Sequence, residues 1–440
     1  MSPAISRRTF VASVAAATSG GALGCRDPGI VALPLTRGRP IDLPDPDSSG
    51  IEHVVVFMME NRSFDHLLGW LPGADGRQAG LTYFDAAGAP HATFPLAPDY
   101  QGCGYADPDH TSAGGRIEYN DGACDGWLRA SDVFSIGYYR QDDLGFLGRA
   151  ALDWTCFDQY FCAILGPTFP NRIYQHAGQT DRLDNRLDIS QLPTIWDRLD
   201  ARGLAGRYYY GDVPVLGLWG DKYTPISRTL DAFYSDCAAG TLPHVAFVDG
   251  GFLQEVTGTG ADDHPYCDIR AGEAMMNGIY AAVTQGPAWS RTVLVVNFDE
   301  WGGFFDHIAP PVAPIPPADR AAGNTDGRRG FRTPALLVSP FARRRHVSHI
   351  LYDHTSVLRM IEWRWGLDPL TVRDATANNL AQEMDFKHVL AWAPIYAVPA
   401  VTAASCPVRS VSAEPPPRAP TGRGHWVALR EAARQAGWAV

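Results

Sequence analysis

Three things are scarce in this 440-residue chain, and each scarcity removes a class of protein. No two of its eight cysteines stand in the C-x-x-C spacing of a zinc site. Positive charge is in deficit, with 37 Lys and Arg against 48 Asp and Glu and a formal net charge of -11. That balance speaks against general nucleic-acid binding, which needs a basic surface. The Ala/Val stretch near the N-terminus is too short and too small-residued to be a membrane span. What is present is a globular composition, with hydrophobic residues at 45%, charged residues at 19% and 34 prolines. The length suits one large α/β domain or two ordinary ones.

The first residues carry Ser6, Arg7, Arg8, Thr9 and Phe10 ahead of that stretch, and residues 1–24 resemble a twin-arginine export signal. Ala22, Leu23 and Gly24 before Cys25 fit a small-residue cleavage site. Cys25 also raises lipid attachment, but Ala22 stands where a lipobox usually has Leu, so cleavage is favoured. The destination is then secreted, periplasmic or surface-attached. In an oxidising compartment, disulfides among Cys103, Cys124, Cys156, Cys162, Cys237 and Cys267 are the simpler reading, leaving Cys406 free.

Residues 25–50, rich in Pro, Gly and Asp, read as an extended linker. From Ile51 to Met59 the apolar run fits a strand buried on both faces of a parallel sheet. Glu60 and Asn61 then stand at its carboxyl end, where open α/β sheets bind ligands. A carboxylate beside an amide carbonyl offers two hard oxygens to a divalent cation, or else caps and pairs locally. Ser63 suits the N-cap of a helix through Leu71.

The TVLVVNF run is the plainest strand and delivers Asp299 and Glu300 to the same edge. Two adjacent carboxylates are costly to hold together unless something positive lies between them, and a divalent cation meets that need. Gly302 and Gly303 permit close backbone approach there. Thr168 falls at or just before a helix N-terminus, where the dipole favours an anion and where a threonine can equally be a plain cap. His354 also lies at a helix start.

Elsewhere, Gly73 to Gly126 reads as a long irregular insertion over the sheet edge, and it carries His110. Residues 151–165 have apolar spacing suited to a buried helix. The aromatic clusters Tyr138-Tyr139 and Trp219-Tyr223 are either core or a stacking surface for a choline or sugar. Residues 51–397 form the catalytic domain, and 398–440 form a Pro-rich, flexible tail with a short amphipathic helix over 425–439.

The strings ENRSFDH at 60–66, GPTFPNRIY at 166–174, DDHPYCDIRAGE at 262–273, NFDEWGGFFDHIAPP at 297–311 and YDHTSVLRMIEWRWG at 352–366 occur in one order. Together they resemble the bacterial phosphoesterase family that contains phospholipases C and acid phosphatases. The resemblance implies an α/β, alkaline-phosphatase-like fold: a largely parallel sheet between helices, with loops over the carboxyl ends of its strands. It also implies a metal site of Glu60, Asn61, Thr168, Asp299 and Glu300, with Thr168 as nucleophile and His110, His264 and His354 as catalytic and phosphoryl-binding histidines.

Oxygen-rich ligands favour one hard divalent ion, calcium or magnesium, with zinc or manganese also compatible. The expected activity is an exported phospholipase C working through a phosphothreonine. Its partners would be a phospholipid or small phosphoester and a transient membrane-surface contact. Acid phosphatase activity on monoesters is the alternative. A non-catalytic, surface-attached binding protein is a third reading, opposed by the competent residue type at every expected polar position.

Overall fold

The computed structural model describes residues 42–406 and 423–440. The export signal, Cys25, most of the linker and residues 407–422 of the tail lie outside the described residues.

The molecule is organised by an eight-stranded sheet. Its strands in chain order are β1 (His53–Met59), β2 (Thr155–Phe157), β3 (Gly206–Tyr210), β4 (Ser227–Thr229), β5 (Val245–Asp249), β6 (Thr292–Phe298), β7 (Ala335–Val338) and β8 (His346–Ser348). Across the sheet they lie in the order β8-β2-β7-β6-β1-β5-β3-β4. β1 pairs in parallel with both β5 and β6, and only β7 runs against its two neighbours. The expected α/β class with a largely parallel sheet is therefore what the chain adopts.

The sequence of β1 accounts for its central place. Val54, Val55, Val56 and Phe57 are buried on both faces, which β-branched and aromatic side chains tolerate best. Each contributes roughly 1.5–3 kcal/mol through the apolar surface it removes from water. Helices α1 (Phe64–Leu68), α2 (Thr168–Ala177), α3 (Ile269–Gln285), α4 (His354–Trp365) and α5 (Arg423–Gln435) are the ones that bear on the site. Ser63 caps α1 as its sequence predicts, accepting from the His66 backbone N–H.

Several expectations are corrected. Residues 151–165 do not form one helix: the helix ends at Asp153 and the chain turns into β2 and then the short strand Tyr160–Phe161. A continuous apolar run fits a buried strand as well as a buried helix, and here pairing with β7 and β8 decides. Cys406 is not free but bonded to Cys103, tying the start of the tail to the long insertion. Cys124, Cys156, Cys162, Cys237 and Cys267 are buried free thiols. Burial pushes the thiols of Cys124 and Cys237 up to about 12, which keeps them unreactive. Tyr138, Tyr139, Trp219 and Tyr223 are core residues, buried and offering no open ring face to a choline. The terminal helix α5 is docked, with Trp426, Leu429 and Ala433 buried.

Candidate active site

Sheet register brings the acidic residues together. Met59 pairs with Phe298 across β1 and β6, so the residues that follow, Glu60 and Asp299, emerge side by side. Met58 pairs with Asp249 on the other flank. The two strand ends stay linked beyond the sheet, Asp299 N donating to Met59 O at 3.0 Å and Arg62 N to Glu300 O at 3.1 Å.

Asn61 takes a left-handed backbone, φ 54°, which Asn tolerates better than most residues. Its N–H donates to Asp299 Oδ1 at 3.0 Å, and the Glu300 N–H donates to the same oxygen at 2.7 Å. Gly302, at φ 64°, lets the following turn touch Asn61: a Cβ there would stand 2.0 Å from Asn61 O.

The side-chain oxygens left over define a centre. Asn61 Oδ1, Asp299 Oδ2 and Glu300 Oε1 are buried and have no hydrogen-bond partner among the described residues. Burial, then the neighbouring Asp299, pushes the Glu60 and Glu300 carboxyls well above the usual carboxylate range. Unpartnered buried oxygens on hard, anionic ligands fit a divalent cation.

A second source of positive charge was not anticipated from the sequence. Arg172 donates from Nε to Glu60 Oε1 at 2.8 Å and from Nη1 to Asp249 Oδ1 at 2.8 Å. Its Nε also lies 3.3 Å from Asp299 Oδ2, an ion-pair contact without hydrogen-bond alignment. Burial would lower the Arg172 pKa, but Glu60, Asp249 and Asp299 outweigh it and raise it. One guanidinium against Glu60, Asp249, Asp299 and Glu300 still leaves the buried cluster short of positive charge. The signal was in GPTFPNR: Arg172 is four residues after Thr168, hence on the same face of α2.

Thr168 is the first residue of α2, after Pro167, and its Oγ1 donates to Glu60 Oε2 at 3.5 Å. Asn171 fixes the turn before it, accepting from Ile164 N and donating to Gly166 O at 2.8 Å. The helix dipole therefore points its positive end at the threonine hydroxyl.

His110 and His264 face each other, ring centroids 5.8 Å apart. Each Nδ1 is held by a backbone carbonyl, Pro108 O at 2.8 Å and Pro265 O at 2.6 Å, which leaves Nε2 as the working nitrogen. His110 Nε2 lies 3.4 Å from Asn61 Nδ2 and 3.8 Å from Glu300 Oε1, so the imidazole borders the carboxylate centre. His264 Nε2 has no hydrogen-bond partner among the described residues. Burial lowers its pKa.

Asp107 completes this group, with ligand atoms of Asp107, His110 and His264 all within 4.8 Å of one another. Sequence reasoning missed Asp107, although its spacing in DPDH, three residues before His110, placed it nearby.

His354 does not join them. Its Nε2 donates to Asp299 O at 2.7 Å and its Nδ1 accepts from Tyr160 OH at 3.2 Å. With both nitrogens engaged and burial lowering its pKa to about 4, it props the Asp299 backbone. The phosphoryl contact expected of His354 would need its ring to leave these two partners.

Asp65, Asp306 and His307 form another close group. Arg332 lies 3.1 Å from Asp65 and 2.9 Å from Asp306, and the His307 ring bonds Asp65 at 2.5 Å, so that group is balanced internally and fixes its loop.

A family model described as the Phosphoesterase family matches residues 51–368. Phospholipase C B of Mycobacterium tuberculosis (strain CDC 1551 / Oshkosh) is 31% identical, the match covering 87% of this chain and 86% of that protein. Non-specific phospholipase C6 of Arabidopsis thaliana is 28% identical over 75% of this chain and 71% of that one. Among solved structures, a protein in the alkaline phosphatase superfamily from Vibrio parahaemolyticus is similar at 10% identity and a TM-score of 0.38, covering 74% and 70% of the two chains.

Proposed function

The chain belongs to the Phosphoesterase family and hydrolyses phosphoric ester bonds, and within that class we propose that it is a metal-dependent phospholipase C. It would release diacylglycerol and a phosphorylated head group through a phosphothreonine. The observation that carries this reading is the set of buried oxygens without a hydrogen-bond partner among the described residues, Asn61 Oδ1, Asp299 Oδ2 and Glu300 Oε1, at the strand ends where Thr168 meets Glu60. The names of the relatives in Mycobacterium tuberculosis and Arabidopsis thaliana support the lipid diester over other phosphoesters.

Glu60, Asn61, Asp299 and Glu300, with the Thr168 hydroxyl, would hold one hard divalent ion, calcium or magnesium ahead of zinc or manganese. When bound, such an ion lowers the pKa of a ligating hydroxyl and neutralises charge on phosphoryl oxygens. The chain's own residues do the rest. Thr168 Oγ1, hydrogen-bonded to Glu60 Oε2 and lying at a helix N-terminus, would attack phosphorus and pass its proton to Glu60 as the bond from phosphorus to the glycerol oxygen breaks. His110 and His264 present Nε2 to the phosphoryl oxygens and the leaving alkoxide. Asp107 beside His264 favours the protonated form of that imidazole, opposing the effect of burial. Water then attacks the phosphothreonine, with a histidine taking its proton.

Export by the twin-arginine route and transient contact with a membrane surface belong to the same proposal, resting on Ser6 to Phe10 and on the lipid substrate. No helix among the described residues is long and apolar enough to cross a membrane.

The test is hydrolysis of phosphatidylcholine and of an aryl phosphate monoester by the mature protein, each after chelation and again after metal is added back. Diacylglycerol release that follows the metal supports the reading. Activity on the monoester alone would replace it with an acid phosphatase.

A further inference from the structure

The terminal helix α5 lies beyond residues 51–368, the span that the family model matches. Its docking nonetheless reaches the carboxylate cluster. Trp426 stacks on Phe252, with centroids 3.9 Å apart and an interplanar angle of 7°. The Arg172 guanidinium carbon lies 4.8 Å from the same phenyl centroid. The indole fills one face of Phe252, so the guanidinium takes the other. Trp426 also meets Phe169, the residue after Thr168, edge to face at 5.2 Å.

All four residues are buried, so the stack is closed to solvent. Phe252 sits in a loop just past β5, and its backbone is held on the far side, where Phe252 N and Leu253 N donate to Asp212 at 2.8 and 3.0 Å. The remaining freedom of the ring is removed by the indole. Close packing at this density leaves no slack, so a shift of Phe252 is felt by Arg172 and, through it, by Glu60.

We propose that Trp426 of α5 is a positioning residue for phosphoester hydrolysis, which through Phe252 holds the Arg172 guanidinium on Glu60 and through Phe169 holds the start of the nucleophile helix. This rests on the reading of Thr168 and Glu60 as the reacting site. The role is distinct from stabilising the fold, because α5 has a second anchor further along the helix. Leu429 and Ala433 pack on the turn Val215–Trp219, where a Cβ on Gly217 would stand 3.5 Å from Leu429 and 3.3 Å from Ala433.

The experiment compares Trp426→Leu, Trp426→Phe and Leu429→Ala in the full-length mature protein, with kcat and KM on phosphatidylcholine measured well below each variant's unfolding temperature. Trp426→Leu keeps an apolar side chain but removes the stacking face. It is expected to lower kcat on the order of tenfold with KM little changed, as for an interaction made by the reacting complex. Trp426→Phe is expected to restore most of that rate. Leu429→Ala, though it loosens the same helix, is expected to leave kcat at the wild-type value.

Equal loss of kcat in Trp426→Leu and Leu429→Ala, or no loss in Trp426→Leu, would overturn the proposal while wild-type turnover still stood. An inactive wild-type protein would instead count against the functional reading itself. Should Trp426→Leu fail to fold, Trp426→Phe and Leu429→Ala still decide. A fall in kcat confined to Trp426→Phe, with Leu429→Ala at the wild-type rate, supports the positioning role, and a wild-type rate in both or a fall in Leu429→Ala that matches or exceeds that in Trp426→Phe sinks it.

Discussion

Arg172 and Glu60 form a buried ion pair, with Nε donating to Oε1 at 2.8 Å and Nη2 at 2.5 Å from the same oxygen. The pair joins the helix that begins at Thr168 to the strand end that carries Glu60 and Asn61. Removing the guanidinium strands Glu60 and Asp249 as unpaired buried charges. Arg172→Met is therefore expected to destabilise the protein by about 3–5 kcal/mol, the usual effect of breaking a buried pair from one side. Urea unfolding of the two proteins checks it, and a loss under about 1 kcal/mol would mean the pair is solvated in solution.

Gly302 makes a sharper claim about geometry. A methyl group added there would stand 2.0 Å from Asn61 O, at a backbone φ of 64° that L residues rarely adopt. Gly302→Ala must push Asn61 and Glu300 apart, and displacements near 1 Å in a catalytic constellation cost on the order of a hundredfold in rate. The expected outcome is a folded protein by circular dichroism with kcat/KM down by that order. Full activity in Gly302→Ala would show that the turn does not set the site.

The Cys103–Cys406 bond joins residues 303 apart in sequence, and constraint of the unfolded chain is worth about 2–4 kcal/mol for a native disulfide. Cys406→Ser is expected to lose that much stability. Dithiothreitol should lower the Tm of the wild-type protein towards that of Cys406→Ser and leave the variant unmoved. A Tm of Cys406→Ser that still falls with reductant would point to a different pairing.

Acid should unfold the protein partly through His176, which is packed among Trp196, Tyr208, Trp219 and Phe247. Burial, then Arg172, lowers its pKa from 6.5 to about 3. The folded-state value lies below the unfolded one, so the unfolded chain takes up the proton more readily. Stability is therefore intact above about pH 6.5 and drains as pH falls towards 3, at roughly 1.4 kcal/mol per pH unit within that window. Replacing the ring with an apolar one, His176→Phe, is expected to move the acid unfolding midpoint downward. An unchanged midpoint would show that His176 is not the group that titrates.

How much of this was legible in the sequence differs by residue. Glu60, Asn61, Asp299 and Glu300 were placed at one edge because two apolar runs, each ending in acid, read as parallel strands; that the strands are adjacent came from the structure. Thr168 was readable from Pro and Asn following it at a helix start. Arg172 and Asp107 were not read, since their partners Asp249 and His264 are 77 and 157 positions away and only the spacings to Thr168 and His110 hinted at them. A histidine at a helix start looks open in the sequence, which could not show that Tyr160 and the Asp299 carbonyl engage both nitrogens of His354. Trp426 was invisible for the same reason as Arg172: its meaning lies in Phe252, across the fold.

The most direct measurement is to look for a phosphoryl group trapped on Thr168. Wild-type protein is mixed with phosphatidylcholine and metal, quenched in acid within the first turnover, digested and mapped by mass spectrometry, with Thr168→Ala in parallel. The expected result is one phosphoryl group on the peptide containing Thr168, and neither phosphopeptide nor diacylglycerol from Thr168→Ala. A phosphoryl group on another residue, or metal-dependent diacylglycerol release by Thr168→Ala, would contradict Thr168 as the nucleophile.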